Sequence, residues 1–301
     1  MAQVLPLPVA KREKPISVIM VSYMTGPALL EAINAVIADP DIFELILVDN
    51  GNTHDARKRL SDVVAQHDHI RILQGHGNIG FGRACNYGAN LARGEYLLFL
   101  NPDALIEPGS ARALANCGKT LRAPWVTGGM LRDVHGREQR GGRRGALTPL
   151  SALVSFTPLH KLPFFSSVHK EDEPLPTGAE AYPTVSGACL MMDRTSFETL
   201  GGFDEDFFLH VEDIDLCRRA RESGGEVFFV PNATVMHYGS TSEVRRQKVE
   251  WEKLKGFTIY FAKHSKTIFG KALTYAAWPL MAAAIMGRAW YLVIRKAIIG
   301  R

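Results

Sequence analysis

Tyr96-Leu97-Leu98-Phe99-Leu100-Asn101-Pro102-Asp103 decides the fold. Five consecutive apolar residues are what a strand buried on both faces of a sheet requires, and Pro102 marks where it stops. Asp103 then stands where a buried strand runs into a loop. Open α/β sheets collect ligands at that edge, and a carboxylate there offers a hard cation such as Mg²⁺ an oxygen donor. Upstream, Ile16 to Tyr23 reads as a buried strand, Pro27 to Ile37 as a helix, and Glu44 to Val48 as a strand ending at Asp49-Asn50-Gly51. Asp55 to Gln66 reads as a polar-faced helix, His69 to Leu73 as a third strand, Gly80 to Ala92 as a helix and Glu95 to Leu100 as a fourth strand. Strand and helix alternate, which predicts an α/β fold with a parallel, doubly wound sheet.

Downstream the pattern loosens. Gly141-Gly142-Arg143-Arg144-Gly145 opens a Pro- and Ser-bearing stretch to about Pro183, whose weak patterning predicts a functional or mobile loop region. Arg143 and Arg144 fit a phosphate grip or, more plainly, exposed loop charges, and stay outside the predicted site. Periodicity resumes at Thr184 to Met192 and at Gly225 to Val230, and residues from Glu250 onward look helical. Between these, Phe207-Phe208-Leu209-His210 leads into a second acidic cluster, Glu212-Asp213-Ile214-Asp215. One carboxylate for a cation beside a phosphate-bearing donor and another to act as a base form a minimal kit for moving a sugar from a nucleotide to a hydroxyl. The plainer reading of the second cluster is a helix N-terminus carrying acids that suit its dipole, with Asp215 serving Arg218 and Arg219.

Composition narrows the classes. With 301 residues and 46% apolar content the chain can bury a large core, which excludes disorder throughout. A net charge of +4 is too small to argue for nucleic acid, although Lys11-Arg12-Glu13-Lys14, Arg245-Arg246-Gln247-Lys248 and Arg295-Lys296 are locally basic and suit anionic lipid. Cys85, Cys117, Cys189 and Cys217 are scattered, without zinc-site spacing, and read as reduced core or near-core thiols of a cytosolic protein. Met1 to Ala10 is mildly apolar but precedes its basic residues, the wrong polarity for a secretory signal.

One rival is openly written in the chain. Gly75-His76-Gly77-Asn78-Ile79-Gly80 matches G-x-G-x-x-G between a strand and a helix, which taken literally predicts a dinucleotide-binding oxidoreductase. Against it, the motif follows the third strand and not the first. Its glycines serve equally well for a turn and close packing.

The whole set of motifs carries a different meaning: Val21-Ser22-Tyr23, Leu47-Val48-Asp49-Asn50-Gly51, Gly77-Asn78-Ile79-Gly80-Phe81-Gly82 with Asn86 and Gly88, and Leu98-Phe99-Leu100-Asn101-Pro102-Asp103. Ser186-Gly187-Ala188-Cys189-Leu190, Gly201-Gly202-Phe203-Asp204-Glu205, Glu212-Asp213-Ile214-Asp215 and His237-Tyr238-Gly239 follow in order. From about Pro15 to Ser242 the chain resembles the family 2 inverting glycosyltransferases of GT-A fold, in their rhamnosyltransferase-like branch. The resemblance implies a Rossmann-like, mostly parallel central sheet with flanking helices. It implies that Asp49 hydrogen-bonds the donor's base above a floor of Ser22 and Tyr23, although a turn-forming Asp before Asn-Gly is the plainer reading. Asn78, Gly80, Arg83 and Asn101 complete the implied nucleotide-sugar contacts; for Arg83 a solvated helix face is the plainer alternative. Asp103 corresponds to the last acid of the family's DxD motif, here Asn101-Pro102-Asp103, so the first acid is lost. One carboxylate, the donor's phosphates and water still satisfy Mg²⁺ or Mn²⁺, with His237 as the implied second ligand, although a lone histidine serves equally well as a structural residue. Asp213 falls at the base position, with Glu212 its nearest competitor.

The implied partners are a dTDP-, UDP- or GDP-sugar, dTDP-rhamnose among them, and a lipid-linked glycan acceptor in bacterial surface polysaccharide assembly. A sugar-nucleotide-binding protein without catalysis is the alternative raised by the lost acid. The expected organisation is a tail (1–14), a glycosyltransferase domain (15–249) with a loop-rich acceptor side (133–183), and a C-terminal helical, membrane-associating segment (250–301). Ala272 to Met286 carries no charge, yet it is shorter than the roughly 20 residues a span needs and is broken by Pro279. Trp278, Trp290 and Tyr291 with flanking Arg and Lys fit a helix in the membrane interface, while packing on the domain, a dimer contact and spanning stay open. The expected location is cytoplasmic, peripheral on the inner face of the membrane, with self-association left open.

Overall fold

β1 (Ile16–Ser22) is buried at every position, the condition for a strand covered on both faces of a sheet. The computed structural model describes residues 15–156, 167–239, 241 and 244–299. The expected tail and its basic run lie outside the described residues. α1 (Ala28–Ala38), β2 (Ile42–Asp49), α2 (His54–Val64), β3 (Ile70–Leu73), α3 (Phe81–Leu91) and β4 (Tyr96–Leu100) follow. Then come β5 (Ala104–Ile106), α4 (Ser110–Gly118), β6 (Val126–Arg132), β7 (Arg143–Arg144), α5 (Pro149–Phe156), β8 (Glu180–Ala181) and β9 (Thr184–Val185). β10 (Cys189–Asp193), α6 (Arg194–Thr199), α7 (Glu212–Glu222), β11 (Val227–His237), α8 (Arg246–Lys263), α9 (Ile268–Ala276) and α10 (Trp278–Ile299) complete the described chain.

The main sheet runs β3-β2-β1-β4-β10-β6-β11-β5, with β8 paired to β11. It is parallel through its first four strands, as the alternation predicts. β10 then inserts antiparallel between β4 and β6, so the second half is mixed. Register places the candidate residues along one edge. Ser22 stands beside Asp49, Cys189 beside Leu100, and antiparallel β11 brings His237 beside Ala104, next to Asp103.

Alternate strand residues feed opposite faces. Val18, Met20, Leu47 and Leu98 pack under Ala32 and Ile33 of α1 and Leu114 of α4. Ile19, Val48 and Phe99 pack under Ala84 and Cys85 of α3 and Leu216 of α7. α3 comes close because Gly88 lacks a side chain: a Cβ there would lie 2.7 Å from Ile19 Cγ2. A third cluster joins Leu147 and Ala152 to Phe207, Val211 and Ile214, to Leu254, Phe257 and Tyr260 of α8, and to Ile285 of α10. Cys85, Cys189 and Cys217 are buried free thiols, with Cys189 and Cys217 pushed up to about 12 by burial, and Cys117 is partly buried.

The stretch expected to be loop contains a fixed point. β7 pairs antiparallel with β9. Arg143, whose sequence setting suggests a solvated charge, is fully buried. Its Nε and Nη2 donate to the two Glu138 carboxylate oxygens at 2.7 and 3.0 Å, Nη1 to Tyr182 Oη at 2.7 Å, and Nη2 also to the Glu173 carbonyl at 2.7 Å. The guanidinium lies over the rings of Tyr182 and Phe229. Removing one partner of such a pair strands the other charge. Arg143→Ala is expected to cost about 3–5 kcal/mol, read by urea unfolding; a loss under about 1 kcal/mol, the range of an exposed pair, would refute this anchoring role.

Candidate active site

Asp49 ends β2 and shapes the turn after it. Its Oδ1 accepts from the Gly51 and Asn52 amides at 3.2 and 2.8 Å and from Asn52 Nδ2 at 2.8 Å. Its Oδ2 faces Arg57 Nε at 3.7 Å. Asn52 Nδ2 also donates to Ser22 Oγ at 3.0 Å, while its Oδ1 accepts from the Met24 amide at 2.7 Å. Ser22 is fully buried, so its hydroxyl acts on this turn through Asn52; Tyr23 beside it is partly exposed. Asn50 then stitches β2's turn to the glycine loop. It donates to Asn78 Oδ1 at 3.1 Å and Gly80 O at 3.3 Å and accepts from the Ile79 amide at 3.0 Å. Gly80 adopts φ +90°, and a Cβ there would meet the Phe208 carbonyl oxygen at 2.8 Å, so only glycine lets this loop reach the 207–211 segment. The glycines thus make a turn and a close approach. Arg83 projects from α3 to Glu205, 2.8 Å away, and is half-exposed there.

Asp103 and His237 meet at 3.1 Å between Oδ1 and Nε2. Asp103 Oδ2 accepts from Thr241 Oγ1 at 3.0 Å. His237 Nδ1 lies 2.5 Å from Gln139 Oε1, and Gln139 Nε2 returns a bond to the His237 carbonyl at 3.3 Å. An amide oxygen only accepts, so Nδ1 carries the proton and, in the neutral ring, the Nε2 lone pair points at Asp103. Two electron-rich atoms this close need a proton or a cation between them. Burial would raise the Asp103 carboxyl, but with the ring protonated at both nitrogens the hydrogen bond and charge of His237, together with the Thr241 hydroxyl, outweigh it and hold it below the ordinary range. Asn101 Nδ2 stands 3.3 Å from the same His237 Nε2. One carboxylate and one oriented imidazole fit a hard or borderline divalent cation that takes its remaining ligands from phosphate and water. Among the described residues no set of three or more His, Cys, Asp or Glu side chains converges as a self-sufficient metal site.

The base candidates open α7 behind a strained entry. His210 and Val211 hold φ +67° and +75°, costly for L-residues and most of all for a β-branched one. Asp213 Oδ2 accepts from the Gly187 amide at 2.9 Å and pairs with Arg144, which also reaches the Val185 carbonyl at 3.2 Å. Burial pushes Asp213 up, but the Arg144 charge and these hydrogen bonds prevail, and its carboxyl lies below the ordinary value. Glu212 goes the other way: burial, then the Asp213 charge, pushes it up to about 8, and its Oε2 is buried without a partner among the described residues. Asp215 is occupied elsewhere, by Arg219 at 2.6 Å, His264 at 2.8 Å and Lys263 at 2.9 Å. Gly187 and Ala188 join the two acidic clusters: Gly187 N–H binds Asp213, and the Ala188 carbonyl accepts from the Asn101 amide at 3.0 Å.

Residues 17–201, more than half of the chain, match the sequence profile described as Glycosyl transferase family 2. The chain belongs to this family. A second profile, the N-terminal domain of galactosyltransferase, matches residues 175–244. Among curated relatives, the N-acetylglucosaminyl-diphospho-decaprenol L-rhamnosyltransferase of Mycobacterium tuberculosis is 27% identical over 250 residues, 76% of this chain and 77% of that one. Rhamnosyltransferase WbbL of Escherichia coli is 24% identical over 70% of this chain and 77% of its own. These likenesses place the chain in the rhamnosyltransferase-like branch of family 2. Two solved structures share its fold. The mannosyltransferase PcManGT of Pyrobaculum calidifontis, in complex with GDP-Man and Mn²⁺, aligns with TM-score 0.56 at 16% identity over 99% of this chain and 80% of that one. GalNAc-T7 with UDP, GalNAc and Mn²⁺ aligns with TM-score 0.58 at 17% identity over 84% of this chain, which spans 51% of that protein.

The sequence does not single out Asn50 and Asn52 as working residues, although Asp49-Asn50-Gly51-Asn52 is a visible turn signal. Nor does it single out Gln139 or Thr241, which no local pattern marks; Arg144 is visible as a glycine-flanked charge but not as the partner of Asp213. In this family 2 site, Gln139→Ala frees the His237 ring and is expected to weaken Mn²⁺ binding in the presence of nucleoside diphosphate by about 10–100-fold, read by calorimetry; unchanged affinity would separate Gln139 from the site. Burial and the Asp213 charge raise the Glu212 carboxyl in the folded chain well above the 4.5 at which an ordinary glutamate releases its proton. Its contribution to stability is therefore full below the ordinary value and lost as pH rises through the raised one. Glu212→Gln is expected to flatten that decline between pH 5 and 8, read by denaturant unfolding; an unchanged slope would count against a buried, protonated Glu212.

Proposed function

We propose that this family 2 glycosyltransferase moves a sugar, rhamnose foremost, from a nucleoside-diphosphate sugar to a hydroxyl of a lipid-linked glycan. The transfer inverts the anomeric centre, uses Mg²⁺ or Mn²⁺, and serves surface polysaccharide assembly at the cytoplasmic face of a bacterial membrane. The observation that carries this reading is the bridge through Gly187 and Ala188, which ties the Asp103–His237 pair to Asp213 within one hydrogen-bonded frame. The named relatives act on such chemistry, one of them on a lipid diphosphate-linked sugar by its own description.

The roles divide by environment. The turn built by Asp49, Asn52 and Ser22 receives the base of the donor, and the loop from Asn78 to Gly80 closes beside it. Asp103 and His237 supply donor atoms for the divalent cation, which when bound neutralises charge on the departing diphosphate. Asp213, kept ionised by Arg144, accepts the proton of the acceptor hydroxyl as that oxygen bonds to the anomeric carbon and the bond to diphosphate breaks. Glu212, protonated near neutrality, is the weaker candidate for base.

Asp213→Asn is expected to lower transfer by about 10²–10⁴-fold while leaving nucleotide affinity within a few fold. Asp103→Ala is expected to abolish the metal-dependent part. Release of nucleoside diphosphate from UDP-, GDP- and dTDP-sugars, with and without lipid-linked acceptor, checks both. Binding of a nucleotide sugar without turnover under any of these conditions would favour the non-catalytic alternative, and absence of any nucleotide binding would sink both.

A further inference from the structure

On α10, Trp278, Met281, Ala282 and Ile285 recur at the spacing of one helix face and pack into the third cluster against α8. The Trp278 ring meets Trp251 edge-on at 6.0 Å between centroids. A helix fastened to the protein along one stripe is not ringed by lipid. Among the described residues neither α9 nor α10 alone is long and apolar enough to cross a membrane; α9 with Trp278–Gly287 is so by length and composition, but the two are bent by 42° at the break.

The faces turned away from α8 are apolar and uncovered. No residue of α9 is buried. Ile268 is 89% exposed, Phe269 78% and Leu280 76%, and Leu273, Tyr275 and Trp290 are exposed with them. Soluble proteins seldom leave so many large apolar side chains exposed on neighbouring turns without a partner. Charge selects the partner. Lys266 and Lys271 are exposed here, and the sequence from His264 onward carries no Asp or Glu. A second copy pressed to this face would oppose like charges, whereas anionic headgroups pair with them.

We propose that α9 and α10 form a foot lying in the plane of an anionic bilayer, its outer face sunk at the headgroup boundary while its inner stripe holds the catalytic body. This deepens the lipid-linked acceptor reading and rests on it for its purpose. The third cluster contains Val211 and Ile214, which flank Asp213, so the foot and the base belong to one packed body. The base then stands at a fixed height above the surface in which the acceptor is anchored.

Co-sedimentation of the full chain with vesicles of phosphatidylcholine alone or mixed with phosphatidylglycerol tests the foot. Binding is expected with the anionic vesicles only, weakened about tenfold or more at about 0.5 M salt and released by alkaline carbonate. Phe269→Asp with Leu273→Asp is expected to lower binding at least tenfold. Since neither side chain is buried, circular dichroism and nucleoside-diphosphate affinity should not change. Equal binding to neutral vesicles, unchanged binding by the variant, resistance to carbonate, or a solution dimer that the variant splits would each overturn the proposal. Nucleotide affinity, measured on the same samples, reports separately on the transferase reading.

Discussion

A carboxylate that must stay charged inside a protein needs a cation of its own, and Arg144 supplies it to Asp213. Without that neighbour burial would favour the neutral acid, as it does at Glu212 one residue earlier. Adjacent acids on one helix turn thus reach opposite protonation states through different partners. Arg144 can serve only if its backbone is fixed, which pairing of β7 with β9 achieves. Arg143, next along the strand, points away from Asp213 into Glu138, Tyr182 and Glu173, and this buried cation organises the region between β6 and β9. The left-handed pair His210 and Val211 is held from the other side by α8, where a Cβ on Gly256 would approach the His210 carbonyl oxygen at 3.0 Å.

The first half of the fold was legible because its signals are local. Strands buried on both faces need no partner to be recognised: Leu45-Ile46-Leu47-Val48 and Tyr96 to Leu100 declare two-sided burial by composition alone. Helix limits read as Gly80 to Ala92 differ by a single residue at each end from the observed Phe81–Leu91. Strand direction is another matter. Periodicity says that Thr184 to Met192 is extended, but nothing in it says that β10 enters antiparallel beside β4. A two-residue strand such as β7 is too short to have a period at all.

The site was legible where chemistry is written in one stretch and hidden where it is assembled across the chain. Asp49 ends β2, Asp103 lies in the turn between β4 and β5, and Asp213 sits in the first turn of α7, and each stood out. Arg143 and Arg144, flanked by glycines, have the composition of a solvated loop; their burial depends on Glu138, Tyr182 and Asp213, at separations with no periodic trace. Gln139 is equally silent in sequence, since its role exists only once β11 returns His237 to the sheet edge.

Asn101, an amide where the family resemblance implies a first acid, has a definite physical setting. An amide there removes one negative charge, and Asn101 Nδ2 faces the His237 nitrogen, leaving Asp103 as the carboxylate beside that ring. Gln139 fixes the ring so that its lone pair and Asp103 face the same space, which preserves direction where charge has been given up. Fewer protein anions weaken the hold on a divalent cation, yet they also lessen repulsion against an arriving diphosphate. Under the proposed chemistry Asp103 and His237 would hold a divalent cation with few protein ligands, so its binding would depend on the donor's phosphates. Thr241, the Tyr238 amide and the Gln139 side chain hold Asp103 and His237 in place through hydrogen bonds.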